Sequence, residues 1–415
     1  MPDKSLTPDF TAAEMNQLIY FDNNATTRVA PEVVDAMLPY LREHWGNPSS
    51  IYGFGKQLDR PLNNAREKVA HLINAEPREL IFTSGGTESN NSAFHSALVA
   101  HPQKRHVVTT AVEHSANIKF CAHLKKMGFE ITLLPVESDG SLDIHELEKS
   151  IRPDTAIVSA MWANNETGVL FPIEEIAAIC RSKHVLFHTD AVQAAGKLKI
   201  DVKDSGVDLL SLSAHKLHAP KGIGLLYVKR GIKFQPYVIG GGQEQGRRGG
   251  TENVASIIGF GRAAELAMAH FSDKNKRVRA LRDKLENGIL NSNAGAVRNG
   301  ARNERLPNTT NLSFEGIEAE SILLALDELG ICASSGSACT SGSVDPSHVL
   351  MAMGCGVARA RGGVRFSLGI YNTEAEVDFA LKHLPLIISK LPSHSRTHKA
   401  EGRTPRVDGN AAIHG

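Results

Sequence analysis

Between residues 80 and 228 the chain alternates short β-rich runs with segments of helical period, and nothing else in the sequence restricts its fold as strongly. Leu80-Ile-Phe-Thr83 and residues 106–109, 130–134, 155–159, 185–188 and 208–212 read as strands, with helices from Thr87 and over residues 118–127 among the segments between them. Strand–helix alternation implies βαβ units and therefore a mostly parallel sheet with helices on both faces. A chain of 415 residues exceeds what one core holds, so a second domain is expected. The polar run Ser272-Asp-Lys-Asn-Lys-Arg277 is a candidate boundary. Beyond it, strands at 310–314 and 363–367 and helices at 319–329 and 373–391 predict a smaller α+β domain. The fold class expected is α/β, a large domain on a mostly parallel sheet with this smaller domain beside it. Residues 1 to about 18 read as a polar extension or first helix outside the core, and the polar residues 394–415 as a disordered tail.

Composition excludes more than it selects. A net charge of +1 gives no electrostatic case for nucleic acid or an anionic membrane, so neither is expected as a partner. The most apolar long stretch, residues 254–271, is interrupted by Arg262, Glu265 and His270 and reads as a buried helix, not a membrane span. The N-terminus has no apolar core of a signal peptide. The five cysteines, Cys121, Cys180, Cys332, Cys339 and Cys355, are odd in number and widely spaced, which argues against a disulfide framework or a structural zinc site. A reducing, cytoplasmic setting is the expectation, with no resident metal.

In an open parallel sheet, ligands bind beyond the carboxyl ends of the strands. Here those ends read Ser84-Gly-Gly-Thr-Glu88, Val112-Glu-His114, Trp162-Ala-Asn-Asn-Glu-Thr-Gly168, Asp190 with Gln193, and Ser213-Ala-His-Lys216. Each has an ordinary explanation when taken alone. Gly85-Gly86 could be a tight turn, Asp190 a cap, His215-Lys216 a solvated pair, and Cys339 an inert thiol. A glycine pair opening a helix is also an anion seat, because its free N–H groups suit a phosphate. The conjunction of five polar strand ends on one face is what points to a site.

Leu212-Ser-Ala-His-Lys-Leu-His-Ala-Pro-Lys-Gly222 resembles the cofactor-lysine motif of the cysteine desulfurases, pyridoxal-phosphate enzymes of the class V aminotransferase family with the fold-type I transferase fold. Phe21-Asp-Asn-Asn-Ala-Thr-Thr27, Gly46-Asn-Pro-Ser-Ser50, Asn164-Asn-Glu-Thr-Gly168, Arg247-Arg-Gly-Gly-Thr-Glu-Asn253 and Ser334-Ser-Gly-Ser-Ala-Cys-Thr-Ser-Gly342 with Asp345-Pro-Ser-His-Val-Leu350 match the same family. The wording is most similar to the nitrogen-fixation type, with Asp345 where Glu is commoner. The resemblance runs from about Tyr20 to about Leu391. It implies an N-terminal segment 1–25 joining the small domain, a cofactor-binding large domain 26–272, and a small domain 273–393 that carries the Cys339 loop.

The resemblance also implies roles. Lys216 holds the cofactor and moves the substrate Cα proton. Asp190 faces the pyridine nitrogen, where a carboxylate keeps the ring protonated and electron-withdrawing. Gln193 and Asn165 bond the phenolic oxygen, and His114 stacks on the ring and assists proton transfer. Gly86, Thr87, Ser213 and His215 hold the phosphate, completed by Thr251 from the other subunit of a homodimer. Arg365 pairs with the substrate carboxylate in bidentate fashion, although Arg359 and Arg361 lie close by in sequence. Asn165 is a second substrate contact. Cys339 accepts sulfur from L-cysteine as a persulfide, leaving L-alanine. Small neighbours around Cys339 suit a loop that travels to an iron–sulfur scaffold protein, and the thiol could ligate a cluster iron during that transfer. The other four cysteines read as structural. A housekeeping cluster-assembly desulfurase, a selenocysteine lyase, a class V aminotransferase and a non-catalytic carrier are the alternatives. Intact Lys216, Asp190 and Arg365 speak against the last of these.

Overall fold

The computed structural model describes residues 18–292, 294–314, 316–336 and 345–392. The remaining residues, including Cys339 and the expected tail, lie outside the described residues.

The larger layer is a seven-stranded sheet in the order Leu80–Thr83, Gly224–Val228, Leu209–Ser213, Leu186–Asp190, Thr155–Ser159, His106–Thr110, Glu130–Leu134. Within it the strands Leu209–Ser213 through Glu130–Leu134 run parallel to one another. Gly224–Val228 is antiparallel to both its neighbours, so Leu80–Thr83 points the same way as the parallel set. This inserted strand is not legible in the sequence, because a short apolar run after the Pro220-Lys-Gly222 turn carries no sign of where it will pair. Gly224 is what admits it. A Cβ there would lie 2.6 Å from the Gly85 backbone and 2.8 Å from the Leu212 carbonyl oxygen.

Side chains alternate across this sheet with the two-residue period of a strand. Leu80, Phe82, Val108, Val158, Leu210, Leu212, Leu225 and Tyr227 enter one core, together with the helices Asp59–Leu72 and Val254–Met268. Ile81, Val107, Ile157, Leu209, Leu226 and Val228 enter the opposite core, against Phe94, Ala97 and Leu124 of the helices Gly86–Ala100 and Ser115–Lys126. Burial on both faces explains why the strands read as continuous apolar runs without polar alternation.

The smaller sheet is antiparallel, in the order Ser334–Ser335, Gly363–Ser367, Thr309–Phe314, Ala296–Asn299. Its core takes Leu312, Phe314, Val364 and Phe366 from the sheet and Leu285, Ile289, Leu384 and Ile388 from the helices Phe271–Asn291 and Glu374–Lys390. Ile19 and Phe21 join this core, and Ile19–Tyr20 pairs in parallel with Ile331–Cys332. The polar run 272–277, the candidate boundary, is helical. It forms the first turns of the helix Phe271–Asn291, and the chain instead breaks at His270, whose φ of 55° is left-handed. A helix whose outer face is wet reads as polar, so the run is polar without leaving the helix.

Three parallel strands share one buried polar bridge. His188 is fully buried and contacts Ser159 Oγ at 2.8 Å through Nδ1 and Ser211 Oγ at 2.9 Å through Nε2. Burial pushes its pKa down to about 3, whereas an unfolded histidine titrates near ~6.5. Between those values the unfolded chain binds the extra proton. The stability contributed by neutral His188 is therefore complete above about 6.5 and lost as pH falls toward the folded value. Urea midpoints should drop from pH 7 to pH 5, and the drop should be smaller in His188→Gln; an equal drop in the variant would assign the loss to other groups.

Candidate active site

Five of the six co-directional strands deliver their carboxyl ends to one cavity of about 380 Å³. Its lining includes Gly86, Thr87 and Asn90 beyond the first strand, and His114 beyond the second. Met161, Ala163 and Asn165 follow the third, Asp190 and Gln193 the fourth, and Ser213, His215 and Lys216 the fifth. Arg365 enters from the smaller sheet, and Asn24 and Ala25 from the N-terminal segment. Nearly all the residues singled out in sequence therefore meet at one place. Thr251 does not: it is exposed and lies outside this lining, on a stretch where Gly250, Glu252 and Arg248 border a separate cavity.

The helix Gly86–Ala100 opens against the cavity, so the unpaired N–H groups of its first turn face it. A Cβ at Gly86 would lie 3.0 Å from Val192 Cγ2, a tight contact that Val192 would have to relieve by shifting. Glu88 ties this helix start to the Thr251 segment through a bidentate pair with Arg248, at 2.9 and 3.1 Å. Glu88 is shifted below the ordinary carboxylate range: burial acts upward, and hydrogen bonds from Arg248 and Ser84 outweigh it.

One turn along the same helix, Asn90 donates to Asp190 Oδ2 at 2.7 Å, and the Val192 N–H donates to Oδ1 at 3.0 Å. Asp190 is thus a buried carboxylate fixed in direction by two donors. Asn90 escapes attention in the sequence, although its i, i+4 spacing from Gly86 places both on one helix face. His114 caps the helix Ser115–Lys126, its Nδ1 accepting from the Ala116 N–H at 3.2 Å. That bond leaves the ring proton on Nε2. Burial lowers its pKa, with Asp190 opposing and Lys216 and His348 adding to the effect. Beside it, fully buried Glu113 accepts from Met161 N, Thr110 and Asn117 at 2.8–2.9 Å, and burial pushes its pKa up to about 7.

Lys216 follows the last strand of the set on a short turn, and its Nζ donates to the carbonyls of Asn24 and Ala25 at 2.6 and 2.7 Å. His215 contacts Thr26 Oγ1 at 3.0 Å. Burial, then Lys216, Lys221 and Lys197, hold its pKa down to about 4, so it is neutral near pH 7. Asn24, within the Phe21–Thr27 motif, is where these contacts converge. Its side chain donates to the Asn165 carbonyl and to Thr309, accepts from Asn308, and its carbonyl also accepts from Gln193. Only a fold that brings residue 24 beside residue 309 reveals this hub.

Of three neighbouring arginines, Arg365 alone reaches the cavity. Its Nη2 donates to Asp22 at 2.8 Å and Nη1 to the Asn165 carbonyl at 3.1 Å, while its buried Nε has no protein partner. Arg359 turns into the small domain toward Asn299, and Arg361 lies near Glu318. Cys121, Cys180, Cys332 and Cys355 are free thiols, none of them in the cavity lining. Burial pushes Cys121 and Cys180 up to about 12. Cys339 lies outside the described residues, between Gly336 and Asp345.

The sequence profile of the aminotransferase class-V family matches residues 19–379, and the chain belongs to that family. Two relatives refine the class. "Cysteine desulfurase 2" of Trichormus variabilis is 54% identical over 90% of this chain and 94% of its own length. "Cysteine desulfurase NifS" of Azotobacter vinelandii is 52% identical over 90% and 93%. A solved structure named NifS-like protein superposes with a TM-score of 0.85 at 40% identity, covering 90% of this chain and all of that one. No helix among the described residues is long and apolar enough to cross a membrane.

Removing the Asn90 donor leaves a buried carboxylate oxygen short of a partner, which costs about 1–3 kcal/mol. Asn90→Asp should cost more than Asn90→Ala at pH 7, since it sets a second carboxylate against Asp190. Denaturant titration of both variants reads the order, and a reversed order would contradict the Asn90–Asp190 contact.

Proposed function

We propose that the chain is a cysteine desulfurase that binds pyridoxal phosphate at Lys216 and converts L-cysteine to L-alanine, leaving a persulfide on Cys339. The observation that carries this reading is the meeting of Lys216, Asp190, Arg365 and the Gly86–Thr87 helix start around one cavity. The donor set fits the cofactor's chemistry. Gly86, Thr87, Ser213 and His215 supply neutral donors suited to a phosphate at a helix N-terminus. Asp190, held by Asn90 and Val192, suits a protonated ring nitrogen. Gln193 and Asn165 suit the phenolic oxygen, and His114 the ring face. Bound there, the cofactor supplies an electron sink for the pair released at the substrate Cα.

The chain's own groups do the rest. Arg365 has an unpartnered buried Nε beside the cavity and binds the substrate carboxylate, with Asn165 as a second contact. Lys216 Nζ removes the Cα proton, and the His114 Nε2–H assists. The Cys339 thiolate attacks the substrate sulfur; an S–S bond forms, the C–S bond breaks, and the former Cβ takes a proton to become the methyl of alanine. Sulfur then passes to an iron–sulfur scaffold protein, with nitrogenase maturation as the destination. That destination is supported by the likeness to the Azotobacter vinelandii relative.

The unit of function is a homodimer in which Thr251 completes the partner's phosphate seat. Thr251 is exposed and outside its own chain's cavity, and large apolar side chains such as Trp45 at 71% and Ile51 at 93% exposure await cover.

Cys339→Ala should keep the visible absorbance of bound pyridoxal phosphate and its response to L-cysteine while releasing no sulfide. Sulfide release at the normal rate would contradict the nucleophile assignment. Lys216→Ala should lose at least about a hundredfold in alanine formation, the size of a general-base contribution. Mixing Lys216→Ala chains with Thr251→Ala chains should restore activity, because one site of each mixed dimer then has both residues intact. No recovery in verified mixed dimers would place Thr251 in its own chain's site.

A further inference from the structure

Behind Lys216 lies a second cavity of about 270 Å³ between the large and small cores, and Lys216 and Lys197 both border it. Lys197 does not line the proposed cofactor cavity, yet its Nζ reaches Gln193 Oε1 at 2.8 Å and Asn24 Oδ1 at 3.5 Å. Gly196, at φ +74°, shapes the turn that puts Lys197 there. The opposite side of the same amide is also occupied: Gln193 Nε2 donates to the Asn24 carbonyl at 2.9 Å.

An amide side chain can rotate by half a turn, exchanging donor for acceptor. At Gln193 a lysine on one side and a carbonyl on the other permit one orientation. The Oε1 atom faces Lys197, Nε2 keeps a second hydrogen beyond the one given to Asn24, and Gln193 lines the cavity. We infer that Lys197 is a positioning residue, which holds Gln193 so that its amide donates to the phenolic oxygen of the cofactor. Burial, then Lys216 and Arg365, hold the Lys197 pKa down to about 7, and in either charge state its N–H groups meet the two amide oxygens.

This inference rests on the proposed pyridoxal phosphate site, and a double-mutant cycle separates the two. Pyridoxal phosphate is titrated into apoprotein, with the dissociation constant and the visible absorbance maximum as readouts and thermal melts of each apoprotein as the folding control. Gln193→Ala should weaken binding about tenfold, the loss of one hydrogen bond to a charged group. Lys197→Met should weaken it similarly and shift the absorbance maximum as Gln193→Ala does, while Lys197→Arg, a permanent donor, should stay near wild type. The double variant should bind no worse than about tenfold weaker, because both changes remove one interaction. Losses that multiply to about a hundredfold, or Lys197→Met binding like wild type, overturn the inference. Lys197→Ala serves the same cycle if the methionine variant does not fold. Wild-type protein that acquires no visible band overturns the cofactor reading instead.

Discussion

The hydrogen bonds of Asn24 hold the site together. Its carbonyl receives Lys216 and Gln193, its side-chain amide ties the Asn165 carbonyl to Thr309, and Asn308 donates to its Oδ1. Two domains and an N-terminal segment therefore meet on one residue. Each such bond contributes only about 1 kcal/mol net, but a buried group left unpaired costs more. Because Gln193 and Asn308 are buried and Lys216 is half-buried, displacing Asn24 would strand several donors at once. The lysine, the strand-end amides and the small-domain arginine keep their relative positions through that shared penalty.

The sheet supplies the other half of the geometry. Parallel strands present their carboxyl ends on one edge, so a chain that alternates strand and helix gathers its post-strand residues without any long excursion. The antiparallel Gly224–Val228 strand spaces Leu80–Thr83 away from Leu209–Ser213, and so sets the distance across the cavity between the helix start at Gly86 and Lys216. Its entry depends on the missing side chain of Gly224.

What could be read in the sequence follows from this arrangement. Strand ends are visible as apolar runs stopping at polar residues, so Gly86, His114, Asp190, Gln193, Ser213 and Lys216 announced themselves. Asn90 is a helix residue beyond its strand end, and its role depends on which face of Gly86–Ala100 turns inward. Asn24 and Lys197 act through partners far along the chain or through another side chain, and local pattern carries no record of either. Arg365 could not be separated from Arg359 and Arg361 until the register of Gly363–Ser367 against Thr309–Phe314 was known.

The central claim is that Lys216 is the lysine that takes the cofactor. Lys197 is the discriminating competitor, since it borders the adjoining cavity with Lys216 and has a pKa depressed by burial. Borohydride reduction of the pyridoxal-phosphate-loaded protein, followed by peptide mass spectrometry, reads the attachment point directly. The adduct is expected on Lys216 alone. An adduct on Lys197, or none on either lysine, would contradict the account.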